Sequence, residues 1–146
     1  MTMRLVVLAS GNGSNLQAVI DACQSGLLNA HIVAVVSDND SAFALHRAAQ
    51  HNIDSRVVIG SRNDRASFNT QLAAVVGEFQ PDIVILAGFM RLLTMDFLAH
   101  FPQRVINIHP ALPGELPGTN AIARAFDEFA AGKRTHTGVM VHFVPD

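Results

Sequence analysis

Cysteine and charge are both scarce in this sequence. Its 146 residues include one cysteine, Cys23, so an internal disulfide is impossible. Cys23 falls at an apolar position of a helix-period pattern, which predicts a place in the core and a reducing compartment. Charged residues make up only 15% of the chain and apolar residues 49%, a balance that argues against intrinsic disorder.

Clustered positive charge and long apolar runs are missing as well. Ten Lys and Arg against twelve Asp and Glu give a net charge of −2, which argues against general nucleic-acid binding, because phosphate contacts need clustered cations. No apolar run is long enough to span a bilayer, and the first residues lead into a strand without a signal-peptide pattern. We therefore expect one cytoplasmic domain over residues 1–146 that binds neither membrane nor nucleic acid.

Apolar runs alternate with helix-period stretches from end to end. We expect strands over 4–9, 32–36, 55–59, 83–87, 104–108 and 138–144, and helices over 15–25, 42–51, 64–79, 94–101 and 121–131. This order is typical of an open, mostly parallel, doubly wound α/β sheet of the Rossmann-like type. Because the chain stops directly after a strand, we expect a domain truncated before its C-terminal elements.

A glycine-rich loop follows the first predicted strand. Gly11 and Gly13 allow the backbone to turn with positive φ, and Ser14 and Asn15 open a helix whose N–H groups and dipole favour an anion. The Lys of a Walker loop is absent, and Leu16 occupies the place of the third glycine in a dinucleotide fingerprint. The loop predicts a site for one phosphate of a small molecule. The alternative is a tight strand-to-helix turn with Ser14 as its N-cap.

The segment AGFMRLL follows another predicted strand and opens onto the same sheet edge. Four of its side chains can line a flat apolar slot: Phe89, Met90, Leu92 and Leu93. Arg91 can offer a bidentate donor to a carboxylate. The alternative is a set of core-capping apolar residues beside a solvated arginine.

The segment VINIHP ends another strand with two side chains that can do chemistry, Asn107 and His109. Residues two apart in a strand point to the same face, so this pair is expected to act together. Asparagine offers a donor and an acceptor, and histidine can serve as acid or base near neutral pH. A catalytic pair and a pair of satisfied polar groups at a strand end are both consistent with this pattern.

The remaining histidines give no metal-site pattern. His46, His51, His100 and His136 lack metal-ligand spacing with one another, and we predict no metal. His142 lies on the last predicted strand, on the same face as Met140 and Val144. It is interpreted as a structural residue, with a site-lining role as the alternative.

Taken together, GNGSNLQAVIDA, LAGFMRLL, NIHPALPGELPG and TGVMVHFVPD resemble the phosphoribosylglycinamide formyltransferase family of the folate-dependent formyltransferase superfamily. The resemblance runs from the first strand to the last residue. GNGSNL separates this family from other folate-dependent formyl carriers, whereas NIHP is shared across the superfamily. The resemblance implies formyl transfer from 10-formyltetrahydrofolate, as co-substrate, to the amine of 5-phosphoribosylglycinamide in purine nucleotide biosynthesis.

The resemblance also implies roles for individual residues. The residues assigned to the ribonucleotide phosphate are Gly13, Ser14, Asn15 and Leu16. The residues assigned to the formyl-folate are Arg65, Met90, Arg91, Leu92, Leu93 and Asn107. Asn107 and His109 match the catalytic pair of the family. An oxyanion develops as the substrate amine attacks the formyl carbon, and a protonated His109 and the Asn107 amide can stabilise that charge.

The chain departs from the family in two places. The catalytic carboxylate of the family belongs to an Asp a few residues beyond the HFVPD strand, and Asp146 matches an earlier acidic position. The turn ALPGELPG has Pro113-Gly114 where the family usually has Leu-Pro, although Pro117-Gly118 stay in place. Two other functions therefore stay open: a formyltetrahydrofolate hydrolase or formyltransferase with another acceptor, and a catalytically silent binding module. The sequence leaves monomer and homodimer equally open.

Overall fold

The computed structural model describes residues 1–145, and the elements predicted from the sequence are present in the predicted order. The strands are β1 (Met3–Leu8), β2 (Ala30–Ser37), β3 (Ser55–Val57), β4 (Ile83–Leu86), β5 (Val105–His109) and β6 (Met140–Phe143). The helices are α1 (Ser14–Gln24), α2 (Phe43–Gln50), α3 (Arg65–Gly77), α4 (Met95–Leu98) and α5 (Ala121–Ala130).

Helix α4 is shorter than the predicted helix over 94–101. Its last turn tightens, with the His100 N–H bonded to the Phe97 oxygen and the Phe101 N–H to the Leu98 oxygen, both at 3.0 Å. These i to i−3 bonds end the α-helix early while still bringing Phe101 into the core. The apolar residues over 94–101 do pack into the core, but they belong to a short helix followed by a tight turn.

The six strands form one sheet in the order β3-β2-β1-β4-β5-β6. All neighbouring pairs are parallel except β5 and β6, which are antiparallel. The predicted open, mostly parallel α/β sheet is therefore confirmed. The chain moves outward from β1 in one direction and then, starting at β4, in the other, so the strand order reverses between β1 and β4. Ligands of such sheets bind in the crevice outside the carboxyl ends of the strands at this switch point.

Each face of the sheet carries its own apolar core. Val6 and Leu8 of β1 face the cluster that contains Phe68 and Leu72 of α3, whereas Leu5 and Val7 face the cluster with α1 and α2. This division explains why the strand sequences are continuous apolar runs, since both faces are covered.

Cys23 lies half-buried at the margin of the second cluster, and burial raises the pKa of its thiol. None of the helices within residues 1–145 is long and apolar enough to cross a membrane.

Helix α5 and strand β6 leave apolar side chains exposed at one end of the sheet. Those of α5 share one face of the helix, at Ile122, Phe126 and Phe129. Those of β6 are at alternate positions, Val141 and Phe143. The buried side of α5 contributes only two alanines to a small separate cluster, Ala111, Leu116, Ala121 and Ala125. The folding free energy therefore comes mainly from the two large clusters under β1, β2 and β4.

This division of the core predicts different costs for two matched substitutions. Phe97 of α4 is 0% exposed and Phe126 of α5 is 68% exposed. Phe97→Ala is expected to lower the free energy of unfolding by about 3–5 kcal/mol, because it leaves a cavity in the larger cluster. Phe126→Ala should change it by about 0.5 kcal/mol or less. Urea titration followed by circular dichroism measures both, and equal losses would contradict this account of the core.

Candidate active site

The loop after β1 forms a pocket of about 250 Å³ that is lined by three of the four predicted phosphate-binding residues, Gly13, Ser14 and Asn15. Its lining includes the backbone from Ser10 to Asn15 together with Ala87, Gly88 and Met90. Gly13, at φ +78°, is the N-cap of α1, and no described side chain caps the helix. The first backbone hydrogen bond runs from the Gln17 N–H to the Gly13 oxygen at 2.9 Å, so the N–H groups before it are available to an anion. Ser14 is therefore the first helical residue rather than the N-cap.

Leu16, the fourth residue predicted to bind the phosphate, does not line this pocket. Its side chain is fully buried in the cluster beneath α1. Its N–H precedes the first hydrogen bond of the helix, as those of Ser14 and Asn15 do. The apolar side chain thus anchors the helix whose first turn faces the pocket.

Helix α2 braces the loop from behind. Arg47 donates from Nε to the Asn12 oxygen at 2.9 Å and from a terminal nitrogen to Asn12 Oδ1 at 2.8 Å, and the Ala44 N–H donates to the Gly11 oxygen at 3.0 Å. A Cβ on Gly13 would lie 2.8 Å from the Ala44 Cβ. Glycine at this position is therefore required both by its positive φ and by the close approach of α2.

A larger cleft of about 620 Å³ opens between the ends of β4, β5 and β6. Asn107 and His109 both line it, as their two-residue spacing in β5 predicted. Asn15, at the start of α1, lines both this cleft and the pocket of the glycine-rich loop. The predicted anion site and the predicted catalytic pair therefore lie in neighbouring pockets at the same edge of the sheet.

His142 joins the pair from the neighbouring strand. The antiparallel register places His142 opposite Asn107, with Asn107 Nδ2 at 3.3 Å from His142 Nε2. His142 Nδ1 lies 2.8 Å from the Phe143 oxygen, so Nδ1 carries the hydrogen and Nε2 accepts from the Asn107 amide. This contact fixes the orientation of the Asn107 side chain and leaves its second amide hydrogen available as a donor and its Oδ1 as an acceptor. Of the two interpretations of His142, the structure supports the site-lining one.

The turn after β5 determines which nitrogen of His109 is available. His109 Nε2 lies 3.0 Å from the Leu116 oxygen, and a carbonyl can only accept, so Nε2 carries a hydrogen. Nδ1 is then the nitrogen that can gain or lose a proton. Arg124 of α5 secures the same turn by donating to the Leu116 oxygen at 2.9 Å and the Pro117 oxygen at 2.6 Å. The altered ALPGELPG turn thus remains tied to both α5 and His109.

The segment after β4 forms the wall between the pockets. Met90 lines the loop pocket, the large cleft and a third pocket of about 430 Å³ that also contains Arg62 and Arg65. Met90 and Leu92 are 62% and 64% exposed, which is high for apolar side chains and matches the predicted flat slot. Leu93 also lines the cleft, although it is half-buried against the core.

Arg91 differs from the expectation of a free bidentate donor. Its Nε donates to Asp38 Oδ2 at 3.0 Å, a terminal nitrogen donates to the Gly60 oxygen at 2.7 Å, and its guanidinium carbon lies 4.7 Å from the centre of the Phe68 ring. The carboxylate that it meets is therefore one of the protein's own. Sequence spacing could not reveal this, because Asp38 follows a different strand, 53 residues earlier.

Comparison with known proteins agrees with this geometry. Residues 3–146 match the formyl transferase family. The phosphoribosylglycinamide formyltransferase of Dictyostelium discoideum is 40% identical over 158 residues, which cover 99% of this chain and 77% of that protein. That of Escherichia coli strain K12 is 42% identical over 145 residues, covering 99% of this chain and 66% of that protein. The chain thus spans about two thirds to three quarters of the length of these relatives.

Solved structures give the same result. A crystal structure of glycinamide ribonucleotide transformylase 1 from Symbiobacterium toebii superposes with a TM-score of 0.87 at 35% identity, covering 98% of this chain and 66% of that one. The phosphoribosylglycinamide formyltransferase of Coxiella burnetii, in complex with CHES, also reaches 0.87 at 40% identity, covering 100% and 67%. Sequence, fold and cleft together show that this chain belongs to the phosphoribosylglycinamide formyltransferase family of formyl transferases.

Proposed function

We propose that the chain transfers the formyl group of 10-formyltetrahydrofolate to the amine of 5-phosphoribosylglycinamide. The observation that carries this proposal is that the pocket of the glycine-rich loop adjoins the cleft of the Asn107–His109 pair, with Asn15 lining both. Such an arrangement suits a substrate that carries a phosphate at one end and a reacting amine at the other. The names of the relatives support phosphoribosylglycinamide as the acceptor and formyl as the group transferred.

In the proposed binding mode, the phosphate lies against the first turn of α1. The backbone N–H groups of Ser14, Asn15 and Leu16, the Ser14 hydroxyl and the helix dipole all favour the negative charge. Gly13 lets the loop approach closely, and Arg47 holds it through Asn12. The ribonucleotide then extends past Asn15 towards β5.

The formyl-folate occupies the apolar side of the same cleft in this proposal. Met90, Leu92 and Leu93 contact its flat ring system, and Arg65 lines the adjoining pocket. Arg91 contributes through its backbone, since its guanidinium is held by Asp38 and Gly60. The exposed apolar surface of the slot favours a planar ligand because its burial removes that surface from water.

The chemistry follows from the two polar side chains of β5. The substrate amine attacks the formyl carbon, a C–N bond forms, and the formyl oxygen becomes an oxyanion. A protonated His109 donates from Nδ1, because Nε2 is engaged by Leu116, and the Asn107 amide supplies a second donor. The bond between the formyl carbon and the folate nitrogen then breaks, and that nitrogen takes up the proton lost by the amine.

The site favours transfer to the ribonucleotide over the alternative functions, a hydrolase, a transferase with another acceptor or a silent binding module. A hydrolase or a transferase with another acceptor has no need of an anion pocket beside the catalytic cleft, and the named relatives share the ribonucleotide substrate. A silent binding module would bind ribonucleotide and folate without turnover. An activity assay of the 146-residue chain, together with calorimetric binding of both ligands, separates these functions.

We also predict that dialysis against a chelator leaves the rate unchanged, that the enzyme is cytoplasmic, and that it is a monomer or homodimer.

Removal of the His109 imidazole tests the assignment of the catalytic pair. His109→Ala is expected to lower the formyl-transfer rate by about a hundred- to a thousandfold, the typical cost of one lost donor to a developing oxyanion. His31→Ala serves as the control, because His31 is exposed on β2, away from the cleft. Steady-state assay of both variants gives the comparison. Undiminished transfer by His109→Ala means that another group carries the charge.

A second test addresses the phosphate site. Ser14→Ala removes a hydroxyl from the first turn of α1 and should raise the KM for the ribonucleotide about tenfold or more, because hydrogen bonds to charged groups contribute about 1.5–3 kcal/mol. The KM for formyl-folate should stay the same. Ser25→Ala, just past the other end of the same helix, is the matched control. If both KM values rise equally, the loop does not bind the phosphate.

A further inference from the structure

We infer that Asp38 is a positioning residue for the formyl-folate slot and that it acts through Arg91 and Ser10. The inference rests on the proposed function, since it concerns the wall of the slot. Asp38 follows β2 and does not line the cleft, and no motif in the sequence singles it out. Its carboxylate nevertheless reaches two residues that hold the segment after β4.

The first contact is with Ser10. The Ser10 hydroxyl donates to Asp38 Oδ1 at 2.5 Å, and the same hydroxyl oxygen accepts the Met90 N–H at 2.8 Å. A hydroxyl has one hydrogen, so the carboxylate determines its direction and leaves a lone pair for Met90. The charge on Asp38 thus holds the backbone of Met90 in place through one intervening oxygen.

The second contact is with Arg91. Asp38 Oδ2 accepts from Arg91 Nε at 3.0 Å, and both side chains are largely shielded from water, at 11% and 18% exposure. The Gly60 oxygen and the Phe68 ring hold the rest of the guanidinium. Because both partners are shielded, removing one leaves the other charge without compensation, and the pair holds its geometry more firmly than a surface ion pair.

The other end of the segment has a separate anchor. The buried Asn69 donates to the Leu92 oxygen at 3.3 Å and accepts the Thr94 N–H at 3.0 Å. Asp38 therefore holds Met90 and Arg91 in place, whereas Asn69 holds Leu92 and Thr94. Loss of Asp38 is expected to release only the first half of the slot wall.

The experiment compares Asp38→Asn with Asp40→Asn. Asp40 lies in the same turn but is exposed and bonds only to the Ser41 hydroxyl among the described residues. Amide hydrogen exchange of the ligand-free chain, followed by NMR, should show the Met90 N–H exchanging about tenfold faster or more in Asp38→Asn. The Thr94 N–H should keep its protection, and Asp40→Asn should match the unmodified chain.

Calorimetry then links the local change to the ligand. A stable 10-formyl-folate analogue should bind Asp38→Asn about tenfold more weakly, whereas 5-phosphoribosylglycinamide should bind with unchanged affinity. Arg91→Lys should reproduce this pattern, because one ammonium cannot replace a fork that spans Asp38 and Gly60. If Asp38→Asn does not fold, Ser10→Ala removes the Met90 acceptor while the ion pair stays in place.

The outcomes separate this inference from the proposed function. If the unmodified chain binds no folate analogue, the proposed function is wrong and the inference fails with it. If the unmodified chain binds both ligands and Asp38→Asn binds the folate analogue equally well, only the inference is wrong. Unchanged exchange at Met90 or equal weakening of both ligands also overturns it.

Discussion

The site depends on the parallel pairing of β1 with both β2 and β4. Parallel strands end at the same edge of a sheet, so the residues after these three strands meet although they are far apart in the chain. The pairing continues into the loops, because the Ala9 N–H bonds to the Val36 oxygen at 3.1 Å and the Ser10 N–H to the Gly88 oxygen at 3.2 Å. A shift of one residue in this register would turn Ser10 away from its partners.

Arginines hold the loops that surround the cleft. Arg47 braces the glycine-rich loop, Arg91 the segment after β4, and Arg124 the turn beside His109. Each donates to at least one backbone oxygen, for which the planar fork of the guanidinium is well suited. A chain with only 15% charged residues therefore uses several of its cations to fix backbone geometry. In the proposed binding mode, the polar ligand contacts are left to backbone N–H groups, an amide and an imidazole.

Residues close together in the sequence could be assigned correctly from their spacing. Asn107 and His109 share a face because strand side chains alternate, and the glycine-rich loop precedes a helix because Gly13 and the following apolar period require it. For Arg91 the sequence indicated the edge of the sheet but not the partner within the protein, since its contact with Asp38 spans 53 residues. The role of His142 depended on an antiparallel register that strand alternation alone does not specify.

The sequence by itself determined the order of strands and helices, the edge at which the site forms and the family to which the chain belongs. These properties follow from local periodicity and from motifs whose residues are contiguous. The tertiary structure alone decided which distant side chains complete the site: Asp38 beside Arg91, and His142 beside Asn107. The reason is physical, because contacts between separate strands depend on sheet order and register, which arise only when the two cores pack together.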